Sequence, residues 1–145
     1  MSDENKRKHL QMTQDIIARM GSNSFLLKGW SISLVTAIVG FALTSDLDKD
    51  RVSLLTIAAF LITMFWLLDA YYLSQERGYR KLYSIIADKN EVDINFLLSN
   101  KGNNTGYNSW SAALISPIFL VFYAPALFLL LITIGHLVGI DVYLK

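Results

Sequence analysis

Arg77, Tyr79, Arg80, Lys81 and Tyr83 crowd into nine residues, "QERGYRKLY", with Tyr72 a little upstream. Phenol rings stack on bases and basic side chains contact phosphates. This mixture suits a ligand-binding role toward single-stranded nucleic acid or nucleotides. It equally describes the aromatic belt and basic flank of a helix entering a membrane from the cytoplasm. Asp69 lies just before the cluster, at the end of an apolar run. An acid at membrane depth is a functional candidate. The plainer expectation is an interfacial ion pair between Asp69 and Lys28.

A second constellation is Gly29, Ser33, Thr36 and Gly40, continued by Thr44, with spacings of 4, 3, 4 and 4 that place them on one helical face. Small residues let helices approach closely, and hydroxyls can line a water-filled path. This is a pore or packing face, and both roles hold together if several copies surround a pore. Thr56 and Thr63 repeat the pattern more weakly. Gly135 and Gly139 form a G-x-x-x-G, with His136 beside them as a structural histidine near the outer surface. His9 has no companion ligands. No nucleophile-base set, phosphate loop, carboxylate pair or metal-ligand spacing is visible, so neither enzyme activity nor a cofactor is expected. The chain has no cysteine, which excludes disulfides and thiolate chemistry.

The elements that must position these residues are apolar. The 145 residues are 53% hydrophobic and 17% charged, oily for a soluble domain. Lys28 to Asp46 and Arg51 to Asp69 each enclose 17 uncharged residues, and Lys101 to Asp141 encloses 39 if His136 is neutral. About 17 to 25 helical residues cross a bilayer. The long gap would make roughly 58 Å of helix, too much for one crossing. A turn near Pro125 would give four spans, but it would leave backbone groups unpaired in lipid. One crossing over residues 117–140, kinked at Pro125, is preferred. The expected fold is an all-α integral membrane protein with three transmembrane helices, four being the alternative. The spans are residues 25–45, 52–73 and 117–140.

Lys6, Arg7, Lys8, Arg19 and Lys28 precede the first span, and Arg77, Arg80, Lys81, Lys89 and Lys101 follow the second. Only Lys49, Arg51 and Lys145 fall on the opposite side. The basic side is cytoplasmic by the positive-inside rule, so the N-terminus and residues 74–109 are expected inside, with loop 45–51 and the C-terminal tail outside. The polar start "MSDENKRKHLQMTQD" fits no signal peptide, and Ser2 fails the myristoylation pattern. Residues 1–24 read as a cytoplasmic amphipathic helix, with Leu10, Ile17 and Met20 on one face and Ile16 beside them. Gly21, Ser22 and Asn23 mark a break before the first span.

The second span has no such break. It is expected to run about three turns beyond the membrane, with Tyr72, Tyr79, Tyr83 and Ile86 as one stripe, and to stop at "DKN". Asp93 would then cap a short helix carrying Phe96, Leu97 and Leu98. "NKGNNTG" reads as a flexible linker, and a short interfacial helix anchored by Tyr107 and Trp110 follows. The cytoplasmic segments are too small for an independent core.

"HLQMTQDIIARMGSNSFLLKGWSISLVTAI" followed by "MFWLLDAYYLSQERGYRKLY" resembles the small multi-span membrane effectors of bacterial antiphage defence, most closely those of Hailong systems. The resemblance covers roughly residues 8–88, and the last third is alike only in being hydrophobic. It implies a homo-oligomeric (tetrameric) channel in the inner membrane. Its ligand would be short single-stranded DNA or a nucleotide made by a partner nucleotidyltransferase. Bound ligand would hold the channel closed, and its loss would depolarise the cell. It carries no individual contact residues. A ring of basic helices would repel itself, and an anionic ligand would relieve that repulsion. The competing expectations are a non-conducting scaffold that recruits a cytoplasmic partner and, less favoured, a small transporter subunit.

Overall fold

The computed structural model describes residues 4–44 and 48–143, with side chains described to Gly139 apart from Asp48. The expectations for loop 45–51 up to residue 47, and for the C-terminal tail with Lys145, therefore lie outside the described residues. Among the described residues all regular structure is helical. Helix α1 runs Glu4–Thr44, α2 Asp48–Ala87, α3 Trp110–Leu114 and α4 Pro117–Tyr143, with single 3₁₀ turns at Glu91–Asp93 and Gly106–Asn108. Three helices, α1, α2 and α4, are long and apolar enough to cross a membrane.

The prolines fix much of this. Both lie in α4, at Pro117 and Pro125, so nothing in α1 or α2 removes a ladder donor. Pro117 takes the first helical position, where its missing N–H costs nothing, and the Ser116 carbonyl accepts from Phe119 and Leu120 at 2.9 and 3.1 Å. Helix α4 continues through Pro125 as one element. Ser109 starts α3, its hydroxyl accepting the Ala112 N–H at 3.2 Å. Hydroxyls in the apolar stretches fold back on their own helices. Thr56, Thr63 and Thr133 donate to the carbonyls of Val52, Ala59 and Leu129 at 2.7, 2.8 and 2.9 Å, so they need no outside partner.

The chain forms two compact units. Unit 1 comprises Met1–Phe25 and Asp69–Leu114; unit 2 comprises Leu26–Leu68 and Ile115–Lys145. Unit 2 is the apolar one. Ala42, Leu55, Ala58, Ile62, Phe119, Tyr123 and Leu130 are buried in it, while Phe41, Phe60, Val121 and Phe128 face outward. An apolar exterior on this extent of surface is a lipid-facing or partner-facing exterior. Its aromatic centre is Tyr123, stacked on Trp66 with centroids 6.1 Å apart and edge-on to Phe119 and Phe122.

Two expectations are corrected. The break at 21–23 does not exist, because α1 passes straight through it. A glycine in a helix costs only about 1 kcal/mol, and tertiary contact in unit 1 outweighs it: Gly21 lies against Glu76, and Ser24 donates to Asp69. Nor do Phe96, Leu97 and Leu98 form a capped helix. Asp93 closes a 3₁₀ turn instead, and the Asn95 side chain captures the Leu97 N–H at 3.2 Å. That local bond competes with helix formation, and Phe96 takes φ 54°, outside the right-handed region.

Candidate functional site

Unit 1 is built on a row at fourfold spacing along α2: Ala70, Ser74, Gly78, Leu82 and Ile86, all buried. Its first three members are small, and that smallness admits the 100–109 loop. Ser74 Oγ donates to the Asn108 carbonyl at 2.7 Å, and the Asn100 amide donates to Gln75 Oε1 at 2.9 Å. At Gly78 a Cβ would fall on the Asn104 amide. "NKGNNTG" is thus a strap fastened to α2 rather than a loose linker. Ile86 belongs to this buried row, and Tyr72, Tyr79 and Tyr83 flank it half-exposed. A search for large apolar residues passes over such a row.

The expected ligand-binding residues are divided among different tasks. The Arg77 guanidinium lies 4.1 Å over the Tyr107 ring and donates to the Tyr107 carbonyl at 3.0 Å. Arg80 pairs with Glu76 at 2.7 Å, one helical turn away, while its side chain stays 66% exposed. Lys81 is exposed. Arg80 and Tyr83 meet Gln14 and Ile17 of α1 around a cavity of about 320 Å³. The structure therefore brings together Arg80 and Tyr83, adds Gln14, and sets Arg77 to holding the strap.

The inward face of α1 in this unit is His9, Thr13 and Ile17, where Leu10, Ile17 and Met20 were expected. Thr13 satisfies its hydroxyl on the His9 carbonyl at 2.9 Å. The His9 ring is 1% exposed, lies 5.5 Å from the Phe96 ring and bonds through Nε2 to the Leu97 carbonyl at 3.2 Å. Because a carbonyl only accepts, Nε2 donates in that bond, and Nδ1 is buried without a hydrogen-bond partner among the described residues. Glu91 closes the helix start, taking the N–H groups of Asn5 and Lys6 at 2.9 and 3.0 Å. Orphan amides at a helix N-terminus favour such a carboxylate. Neither residue had a sequence signal, since each partner lies more than eighty positions away.

Asp69 is fully buried and accepts the Ser24 hydroxyl. Lys28 lies in unit 2, with its ammonium 4.9 Å over the Phe119 ring. The pore or packing face of α1 points outward: Gly29, Ser33, Thr36 and Gly40 are exposed, and a Cβ at Gly29 or Gly40 would meet nothing within 4 Å. Gly135 and Gly139 are equally unobstructed, and His136 is exposed. Ser31 of α1 turns inward instead, donating to the Lys28 carbonyl at 2.9 Å.

No protein-family model matches the sequence, and neither the curated proteins nor the solved structures include one that matches it. The geometry alone defines the class: a helical protein with three candidate membrane spans and a polar helical unit.

Proposed function

We propose that the protein is a homo-oligomeric, channel-like membrane effector of bacterial antiphage defence. Short single-stranded DNA or a nucleotide holds it closed, and release of that ligand depolarises the inner membrane. The observation that carries the oligomeric part is the outward face of α1, where Gly29, Ser33, Thr36 and Gly40 are exposed and a Cβ at either glycine would meet nothing within 4 Å. Three spans are too few to enclose a water path, so conduction needs several copies. A hydroxyl-bearing face with small residues suits both close packing and a wet lining. The ligand part rests on the sequence resemblance and on the exposed cations Arg80 and Lys81 beside Tyr83. An incoming phosphate competes there with Glu76, which already neutralises Arg80.

The test is ion flux from liposomes holding assembled protein, with and without short single-stranded DNA. Flux that DNA suppresses, and that escapes suppression in Arg80→Glu/Lys81→Glu protein, is the expected result. Unchanged DNA binding in that variant rejects the cationic assignment, and absence of flux from inserted, assembled protein rejects the channel.

A second reading has its own observation. Val92, Leu97 and Tyr107 of unit 1 are 78%, 60% and 75% exposed, an apolar display that suits recruitment of a cytoplasmic protein by a non-conducting scaffold. Under that reading expression without a partner leaves the membrane potential intact.

A further inference from the structure

Arg77, Arg80 and Lys81 stand at positions i, i+3 and i+4 of α2, so their side chains emerge beside one another. The strap at residues 100–109 engages the first of them. The Arg77 guanidinium lies 4.1 Å from the centroid of the Tyr107 ring, and its Nη1 donates to the Tyr107 carbonyl at 3.0 Å. One planar face and one donor of the guanidinium are thereby turned to the strap. The strap's hold is polar. Its ten residues, "NKGNNTGYNS", include one large apolar side chain, Tyr107, and that residue is 75% exposed. Ser74 and Asn100 add hydrogen bonds between strap and α2 at 2.7 and 2.9 Å. Against them, Asn104 Oδ1 is buried without a donor among the described residues, which makes closure less favourable. A segment held by hydrogen bonds with little apolar burial opens more readily than the helix beneath it.

We infer that the strap is an autoinhibitory element. Closed, it withholds Arg77 from an anionic ligand at Arg80 and Lys81; open, it yields a third cation to the same face. The inference rests on the ligand reading proposed above and adds regulation to it. A planar guanidinium is well suited to a phosphate, and Arg77 is the member of the cluster that the strap holds. The Arg80 ion pair is with Glu76, on α2 itself, so lifting the strap changes Arg77 first. Coupling of this kind is reciprocal. Whatever loosens the strap tightens binding of a polyanion, and a bound polyanion loosens the strap. The inference concerns binding within unit 1 and does not depend on channel activity.

The experiment measures binding of a fluorescein-labelled short single-stranded DNA to the full chain in detergent, by anisotropy over a range of salt. Gly78→Ala and, separately, Ser74→Ala lift the strap without altering a charge. Each should bind about fivefold tighter than wild type, the scale of one added exposed charge contact. The slope of log affinity against log salt should steepen by about 0.7, one further phosphate on a single strand. Arg77→Gln added to either variant should erase both gains. A fold merely damaged by the substitution would not bind more tightly. Hydrogen exchange across 100–109 should rise in both variants, and in wild type when DNA is bound. Wild-type exchange in both variants, or slower exchange with DNA bound, overturns the proposal. Lifted variants that bind no tighter than wild type, with an unchanged slope, overturn autoinhibition and leave the ligand reading standing. DNA binding by none of the proteins overturns both. If Gly78→Ala misfolds, Ser74→Ala decides alone by the same criteria.

Discussion

Asp69 and Gly78 show how much of unit 1 depends on single atoms. The Ser24 hydroxyl donates to a fully buried Asp69 carboxylate. Asp69→Leu removes that charged acceptor and should cost roughly 1.5–3 kcal/mol, the range for a hydrogen bond to a charged group. Asp69→Asn keeps an acceptor oxygen and should lose less. Thermal unfolding followed by circular dichroism separates the two, and equal losses would remove the hydroxyl from the explanation. Gly78 is glycine because the Asn104 amide occupies the space of a Cβ. Gly78→Ala should therefore lift the strap and speed tryptic cleavage at Lys101. Overpacking of this kind costs about 1–3 kcal/mol, and adding Asn104→Gly should reverse it. His9 looked like a tail residue because its partners, Phe96 and the Leu97 carbonyl, lie far along the chain. No local pattern announces that kind of burial.

The helices were legible where one physical term dominates. The apolar runs of α1, α2 and α4 leave no alternative to helices of spanning length, and the lack of any turn signal between Phe65 and Ala87 correctly implies one uninterrupted α2. The 21–23 segment misled because glycine, serine and asparagine are weak breakers that a neighbouring element can override. The 94–98 segment misled because capping chemistry was present but Asn95 used it locally. The start of α1 is held from outside by Glu91, whose oxygens receive the Asn5 and Lys6 amides. Removing that charge with Glu91→Gln should cost about 1 kcal/mol. The first amides of α1 would then open roughly fivefold more often, which hydrogen exchange reads directly. Exchange at the wild-type rate would mean that water caps the helix equally well.

For the molecule as a whole, the decisive surface is the exposed α1 face of Gly29, Ser33, Thr36 and Gly40. The chain has no cysteine of its own, so Ser33→Cys introduces a single thiol. If copies meet through this face, oxidation should link them into covalent dimers, and Ser31→Cys, whose site is 2% exposed, should not. Ser33→Leu should weaken assembly. Monomers from Ser33→Cys under oxidation would assign the face to lipid. The size of the face was readable from spacing; its freedom from partners was not, because that depends on which side of α1 the other helices choose. Unit 1 is also discontinuous: residue 91 reaches back 85 and 86 positions to close α1. At about 5–20 residues per second, the usual pace of synthesis, roughly 4 to 17 seconds separate the start of α1 from its cap. Both apolar stretches of α1 and α2 have left the ribosome's decoding centre before the unit that joins their polar ends can close. If both helices cross a membrane, they can enter it before unit 1 closes, and unit 1 then acts as a clasp on a topology already chosen.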